Sequence, residues 1–325
     1  MSTLSRRFVI STLAAGLMVA FAPFSHAEDM KSVAVTAIVD HPALDAARKG
    51  VEDELKAAGF EAGKNLKYQY QSAQGNTATA AQIARKFIGD QADVIVAIAT
   101  PSAQAAVAAT KNIPVVFTAI TDPVAAKLVK SWKASGTNVT GVSDKLALNP
   151  QIDLMLKVKP GAKRIGMVYS PGEVNSVIVA KELKAELGKR GMTLVEAAAP
   201  RTVDVASAAK SLVGKVDAIY TSTDNNVVST YESLVGVATQ AKIPLIAADT
   251  DSVKRGAIAA LGMNYYDMGR QTGKMVVRIL KGEKAGTIAP QVGDKLSLTV
   301  NPGAAEKQGA PLSAELLKEA KDTIK

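Results

Sequence analysis

Short, nearly uninterrupted apolar runs recur along the chain at 33–39, 94–99 and 115–119, separated by stretches with helical spacing of apolar positions at 44–58 and 103–110. Runs of this length without polar alternation predict strands covered on both faces. Their alternation with helices predicts a parallel sheet with right-handed crossovers. The pattern then returns. Lys31-Ser32-Val33-Ala34-Val35 is matched by Lys163-Arg164-Ile165-Gly166-Met167-Val168, and Gly59-Phe60 by Gly191-Met192, both at an interval of 132 residues. The run from Ala92 to Thr100 is echoed from Val216 to Thr223, and Asn112-Ile113-Pro114-Val115-Val116-Phe117 by Lys242-Ile243-Pro244-Leu245-Ile246-Ala247. Two copies of one unit predict an α/β protein of two doubly wound parallel-sheet lobes. After Gly262 neither copy continues: 265–281 reads as a helix, 295–300 as a strand and 312–324 as a final helix. A tail outside both repeats predicts several crossings between the lobes, and hence a hinge. The expected lobes are 31–145 with 264–288, and 146–263 with 289–325, after a signal peptide over 1–27.

That leader is predicted by Arg6-Arg7, an apolar run from Phe8 to Phe24 and a Ser25-His26-Ala27 end, with no acidic residue before Glu28. The two arginines suit either the twin-arginine or the general secretory route. No later stretch reaches about 18 uninterrupted apolar residues, so no membrane insertion is expected after cleavage. The sequence has no cysteine, which excludes disulfides, thiolate metal sites and a lipid on an amino-terminal cysteine. A periplasmic monomer is expected. The formal charge is +9, yet aromatics make up only 4% of the chain, and the densest basic group, 181–190, is interleaved with Glu182 and Glu186. That pattern describes a solvated helix face rather than a nucleic-acid surface.

In open α/β sheets ligands gather beyond the carboxyl ends of the strands. Those positions hold Asp40-His41-Pro42, Thr100-Pro101-Ser102, Thr121-Asp122-Pro123, the 170–176 segment with Asn175 and Ser176, Thr223-Asp224-Asn225-Asn226 and Asp249-Thr250-Asp251-Ser252. Helix amino termini offer free N–H groups to an anion, and Asp122, Asp224 or Asp249 offers a carboxylate to an ammonium, a pairing that suits an amino-acid zwitterion. The same residue types also serve as plain helix caps. Phe117, Tyr169 and Tyr220 read equally as ligand-stacking or core residues, and Tyr265-Tyr266, near the last expected crossing, as cleft wall or hinge packing. Catalytic groupings are scarce. His41 is the only histidine after the leader, and there is no nucleophile elbow, P-loop or dinucleotide fingerprint. No enzyme activity, cofactor or metal is expected.

Ordered motifs along the whole chain carry a family resemblance: Asp40-His41-Pro42-Ala43-Leu44-Asp45, Ala99-Thr100-Pro101-Ser102-Ala103-Gln104, Thr121-Asp122-Pro123-Val124, Asn138-Val139-Thr140-Gly141-Val142-Ser143-Asp144, Ser252-Val253-Lys254-Arg255-Gly256-Ala257 and Gly269-Arg270-Gln271-Thr272-Gly273. From about Val33 to Ile324 the chain resembles the periplasmic solute-binding components of ABC transporters related to tryptophan and tyrosine uptake proteins. The resemblance implies a type I periplasmic-binding fold with three crossings, hinge closure on an aromatic or apolar amino acid, and partnership with a permease and its ATPase. On chemical grounds Ser102 and Asn175-Ser176 are expected near the ligand carboxylate and Asp224 or Asp249 near its ammonium. The full set of expected ligand contacts is His41, Thr100, Ser102, Ala103, Gln104, Thr118, Asp122, Tyr169, Asn175, Ser176, Thr223, Asp224, Asn225 and Asp249. A ligand-sensing module for a signalling partner, or an exported enzyme, stands as the alternative.

Overall fold

The computed structural model describes residues 30–324, so the expected signal peptide lies outside the described residues. The first repeat folds as β1 (Lys31–Ala37), α1 (Pro42–Ala57), β2 (Leu66–Ser72), α2 (Thr77–Gly89), β3 (Val94–Ile98), α3 (Thr100–Ala109), β4 (Val115–Ile120) and β5 (Val139–Ser143). The chain then crosses at 144–147 into α4 (Leu148–Val158), β6 (Arg164–Tyr169), α5 (Val174–Lys189), β7 (Thr193–Ala198) and α6 (Val205–Ser211). The second repeat continues with β8 (Ala218–Thr221), α7 (Asn225–Ser229), α8 (Tyr231–Ala241), β9 (Leu245–Ala247), α9 (Thr250–Lys254) and β10 (Ala259–Met263). The tail supplies α10 (Tyr265–Leu280), β11 (Gln291–Val292), β12 (Leu296–Val300), α11 (Pro302–Lys307), α12 (Ala314–Glu319) and β13 (Asp322–Thr323).

Two sheets result, ordered β11-β5-β4-β3-β1-β2 and β13-β12-β10-β9-β8-β6-β7. The strands paired by the sequence repeat, β1 with β6, β3 with β8 and β4 with β9, hold equivalent places, so the repeat in sequence is a repeat in topology. Pairing is parallel throughout except between β10 and β12. Every residue of β3 and β4 is buried, as runs without polar alternation require. The edge strands β2 and β7 are partly exposed and mix polar with apolar residues, which is why their pattern did not stand out.

The chain crosses between sheets three times, at 144–147, at Asn264 and between β11 and β12. Two details depart from expectation. β11 pairs with β5, so chain beyond residue 288 still lies on the first sheet; two residues are too few to show a period. The expected last helix ends at Glu319: Ala320 turns extended, Lys321 N–H donates to the Leu298 carbonyl, and β13 pairs with β12. An open strand edge captured the chain there.

α10 returns to the first lobe and packs along α1 with its backbone unusually close. A methyl group at Gly269 would stand 2.0 Å from the Ala47 carbonyl oxygen, and one at Gly50 would stand 2.2 Å from that of Tyr266. The small residues set the two helices parallel, so His41 and Tyr265, at their starts, come out side by side at the strand ends. The first lobe's core incorporates Tyr265, Met268, Met275, Val276 and Ile279 of α10. The second sheet is covered by separate clusters on its two faces.

Candidate functional site

The carboxyl ends of both sheets border one cleft, and they enclose a cavity with about 320 Å³ of empty space. The first lobe supplies His41, Ala43, Leu44, Thr100 and Ala119; the crossings supply Asp144 and Tyr265; the second lobe supplies Asn175, Thr223, Asn225, Val228 and Asp249.

Two buried carboxylates face this space. Asp249 caps α9, with Oδ1 accepting from the Ser252 N–H at 2.8 Å and Oδ2 from the Ser252 hydroxyl at 2.6 Å. Asp144 accepts from the Tyr265 hydroxyl at 2.6 Å through Oδ2, while its buried Oδ1 has no partner among the described residues. Burial pushes both carboxyls above their usual range, and the Asp249 charge adds to the rise at Asp144. No lysine or arginine lines the cavity. His41 adds no compensating charge: burial, reinforced by Arg255, drives its imidazole down to about 3, against the weaker pull of Asp40. Two carboxyls buried close together without a compensating cation are costly to ionise, and a cation or a multiple donor in the cavity would lower that cost.

The part of the lining at the start of α3 has a different character. α3 begins at Thr100, and its cap residue Ala99 supplies no side-chain hydrogen bond to the first turn. Ala99 (φ 71°, ψ 153°) and Ala119 (φ 56°) both have positive φ, a strained conformation that costs a residue with a Cβ roughly 1–3 kcal/mol. The strain sits at the neighbouring ends of β3 and β4, where it turns the chain sharply into the cleft. The uncapped amino terminus of α3 carries partial positive charge and free N–H groups, which suit a carboxylate.

Asn175, also in the lining, holds a buried Oδ1 without a partner, while its amide donates to Glu173 Oε2 at 2.9 Å and to the Thr223 carbonyl at 3.3 Å. Glu173 also accepts from the Asn225 backbone N–H at 3.2 Å and its side-chain amide at 2.7 Å, tying the two asparagines together. Burial, with the charge of Asp224, pushes Glu173 up to about 7.

The expected contacts therefore divide. His41, Thr100, Asn175, Thr223, Asn225 and Asp249 share the cavity lining. Ser102 and Ala103 are buried in the first turn of α3 outside that lining, and Ser102 Oγ has no partner. Gln104 donates to the Ala126 carbonyl at 3.2 Å, and Thr118 accepts from the Thr272 hydroxyl at 2.9 Å; both hold the first lobe together. Tyr169 packs against the second lobe's core. Ser176 donates to Asp224 at 2.6 Å, and Asp224 also accepts from Ser170 N–H, Ser170 Oγ and Val227 N–H. Four internal bonds occupy that carboxylate, which corrects its expected place beside an ammonium. Asp122 is likewise committed, capping Val124 and Ala125 and pairing with Lys145 at 2.6 Å. Asp144, which ends the Asn138–Asp144 motif, is absent from the expected contacts because β5, which it follows, is interrupted by Thr140 and Gly141 and does not read as an apolar run.

The lobes touch across the cleft through Thr121 Oγ1 and Thr223 Oγ1, 3.3 Å apart. Beside that contact lies a second small compartment, sharing Asp144 and Thr223 and walled by Leu146, Leu148, Ile178 and Val179.

Residues 32–324 match the model of the ABC transporter substrate binding protein family. The chain belongs to that family. The "Tyrosine-binding protein" of Clostridioides difficile (strain R20291) is 40% identical over 271 residues, 83% of this chain and 79% of the relative. A Streptococcus pneumonia ABC domain solved in complex with L-Trp is 35% identical, covers 90% of this chain and 99% of its own, and superposes with a TM-score of 0.87. The ligand-free, open structure of a Clostridium difficile substrate binding protein with adhesive properties is 40% identical over 91% of this chain and 99% of its own, but has a TM-score of 0.69. More distant solute binding proteins share the fold alone. The chain superposes better on the tryptophan complex than on the ligand-free, open structure. Among the described residues no helix is long and apolar enough to cross a membrane.

Proposed function

We propose that this substrate-binding protein captures an aromatic or apolar amino acid in the periplasm by closing its lobes, and delivers it unchanged to an ABC permease and its ATPase. The observation that carries the reading is the pair of buried carboxylates, Asp144 and Asp249, facing one cavity without a cationic side chain. In this reading the ligand ammonium lies between them and completes their hydrogen bonding, with Asn175 Oδ1 as a further acceptor. The α-carboxylate meets the amino terminus of α3, and the side chain packs against Leu44, Ala119, Val228 and Tyr265. Relatives whose ligands are tyrosine and tryptophan support the same class.

The test is a thermal-shift screen of the purified protein against amino acids, organic acids and sugars, followed by calorimetry on any hit. An aromatic or branched amino acid should raise the melting point, since about 100 Kd of ligand adds about 2.7 kcal/mol. Asp249→Asn should then weaken binding by about 1.5–3 kcal/mol, the worth of a charge-assisted hydrogen bond, or about 10- to 150-fold in Kd. A melting point moved only by sugars would end the zwitterion reading.

A further inference from the structure

Residues 121–138, between β4 and β5, contain no helix or strand, although segments longer than about 12–15 residues without one are uncommon in compact domains and often functional. The segment is nonetheless well tied. Asp122 caps its first turn, Gln104 holds Ala126, and Leu128 and Val129 are buried. Outward it presents Lys127, Lys130, Lys133 and Trp132, all exposed. Lys127 is held at φ 60°, a strained conformation for a side chain of its size. Lys111, Lys127 and Lys130 border one open groove with an apolar floor that includes Val107, Val124 and Leu128.

The charge here is unbalanced. Some cations elsewhere on the surface are matched, as in Lys157 with Glu319 and Arg255 with Glu232. Among the described residues no carboxylate lies within ion-pair distance of Lys111, Lys127, Lys130 or Lys133, and the one acid in the segment, Asp122, is engaged by Lys145. No arginine occurs anywhere from residue 86 to residue 163. Lysines act as mobile point charges, whereas recognition of a particular carboxylate favours the forked geometry of arginine. Unpaired lysines beside an exposed tryptophan are the combination that settles at a lipid headgroup layer, where the indole lies in the interface and the ammonium groups meet anionic phosphates.

We infer that this segment is a membrane-adsorbing surface, holding the first lobe reversibly against a bilayer that contains anionic phospholipid. Adsorption is peripheral. It concentrates the protein near membrane partners, and it draws on none of the cleft chemistry.

Trp132 is the only tryptophan in the sequence, so its emission reports on this surface alone. The full protein is titrated with vesicles of phosphatidylglycerol and phosphatidylcholine in equal parts, and with phosphatidylcholine alone, while fluorescence and co-sedimentation are followed. Expected are a blue shift and co-sedimentation with the anionic vesicles only, both reversed near 1 M salt, where the screening length is about 3 Å. Each lysine contributes about 5-fold to partitioning, so K127Q/K130Q/K133Q should lower it about 100-fold. An unchanged melting point for that variant separates lost adsorption from misfolding. Failure to bind anionic vesicles at low salt, or equal binding by the variant, overturns the proposal. Binding to an acidic peptide but not to vesicles overturns it too, and makes the patch a protein contact.

Discussion

At the start of α1, His41 Nδ1 faces the Leu44 N–H at 3.5 Å, and the ring is buried and neutral. Its pKa is driven down to about 3, whereas an unfolded histidine takes up its proton near 6.5. The unfolded chain therefore binds the extra proton first. The stability due to this group is fully present above about pH 6.5 and is lost as the pH falls toward 3, with a limiting slope of about 1.4 kcal/mol per pH unit. Asp144 and Asp249 act in the opposite sense, since their raised pKa values favour proton uptake by the folded state as the pH falls. His41→Asn retains a capping acceptor and removes the titration. Denaturant melts from pH 7 to pH 4 should show a shallower loss of stability in this variant, and parallel profiles would refute the assignment. The same residues show what sequence can reveal about a site. Asp, Ser and Thr stood out at the strand ends, but capping and ligation use the same atoms. Only the hydrogen bonds separate Asp224, fully engaged, from Asp249, engaged by Ser252 alone.

Among the elements, the α1–α10 pair decides how the cleft is assembled. Replacing a helical glycine by alanine gains about 1 kcal/mol of helix propensity, whereas overpacking a tight contact costs about 1–3 kcal/mol. At Gly269 the obstacle is a backbone carbonyl 2.0 Å away, which cannot yield as a side chain can. Gly269→Ala should therefore lower the denaturant midpoint. Gly236→Ala, in α8 with nothing within 4 Å of the added methyl, should leave the midpoint unchanged or raise it. Finding both variants more stable would show that the helices can move apart freely. Gly269-Arg270-Gln271-Thr272-Gly273 was visible in sequence as a motif, but its partner face, Ala47 and Gly50, lies more than two hundred residues away.

On the scale of the whole molecule the decisive variable is the relation between the lobes. In this structure they meet at Thr121 and Thr223, and the arrangement superposes on the tryptophan complex better than on the open relative. A ligand that touches both lobes favours that state by its differential contacts. Small-angle scattering should show a larger radius of gyration without ligand and a decrease when a ligand from the thermal-shift screen is added. An unchanged radius would mean that closure does not depend on ligand. The sequence by itself determined the two sheets and their repeat, because a strand buried on both faces must be continuously apolar and because equivalent strands recur in order. It also marked the strand ends, where turns and helix starts demand Asp, Ser, Thr and Pro. The tertiary structure alone decided which of those residues face a shared cavity, that Asp144 joins Asp249 there, and that β11 and β13 are captured by distant edges. Local propensity carries no record of long-range hydrogen bonds, so a carboxylate's remaining capacity for a ligand becomes visible only once its internal partners are in place.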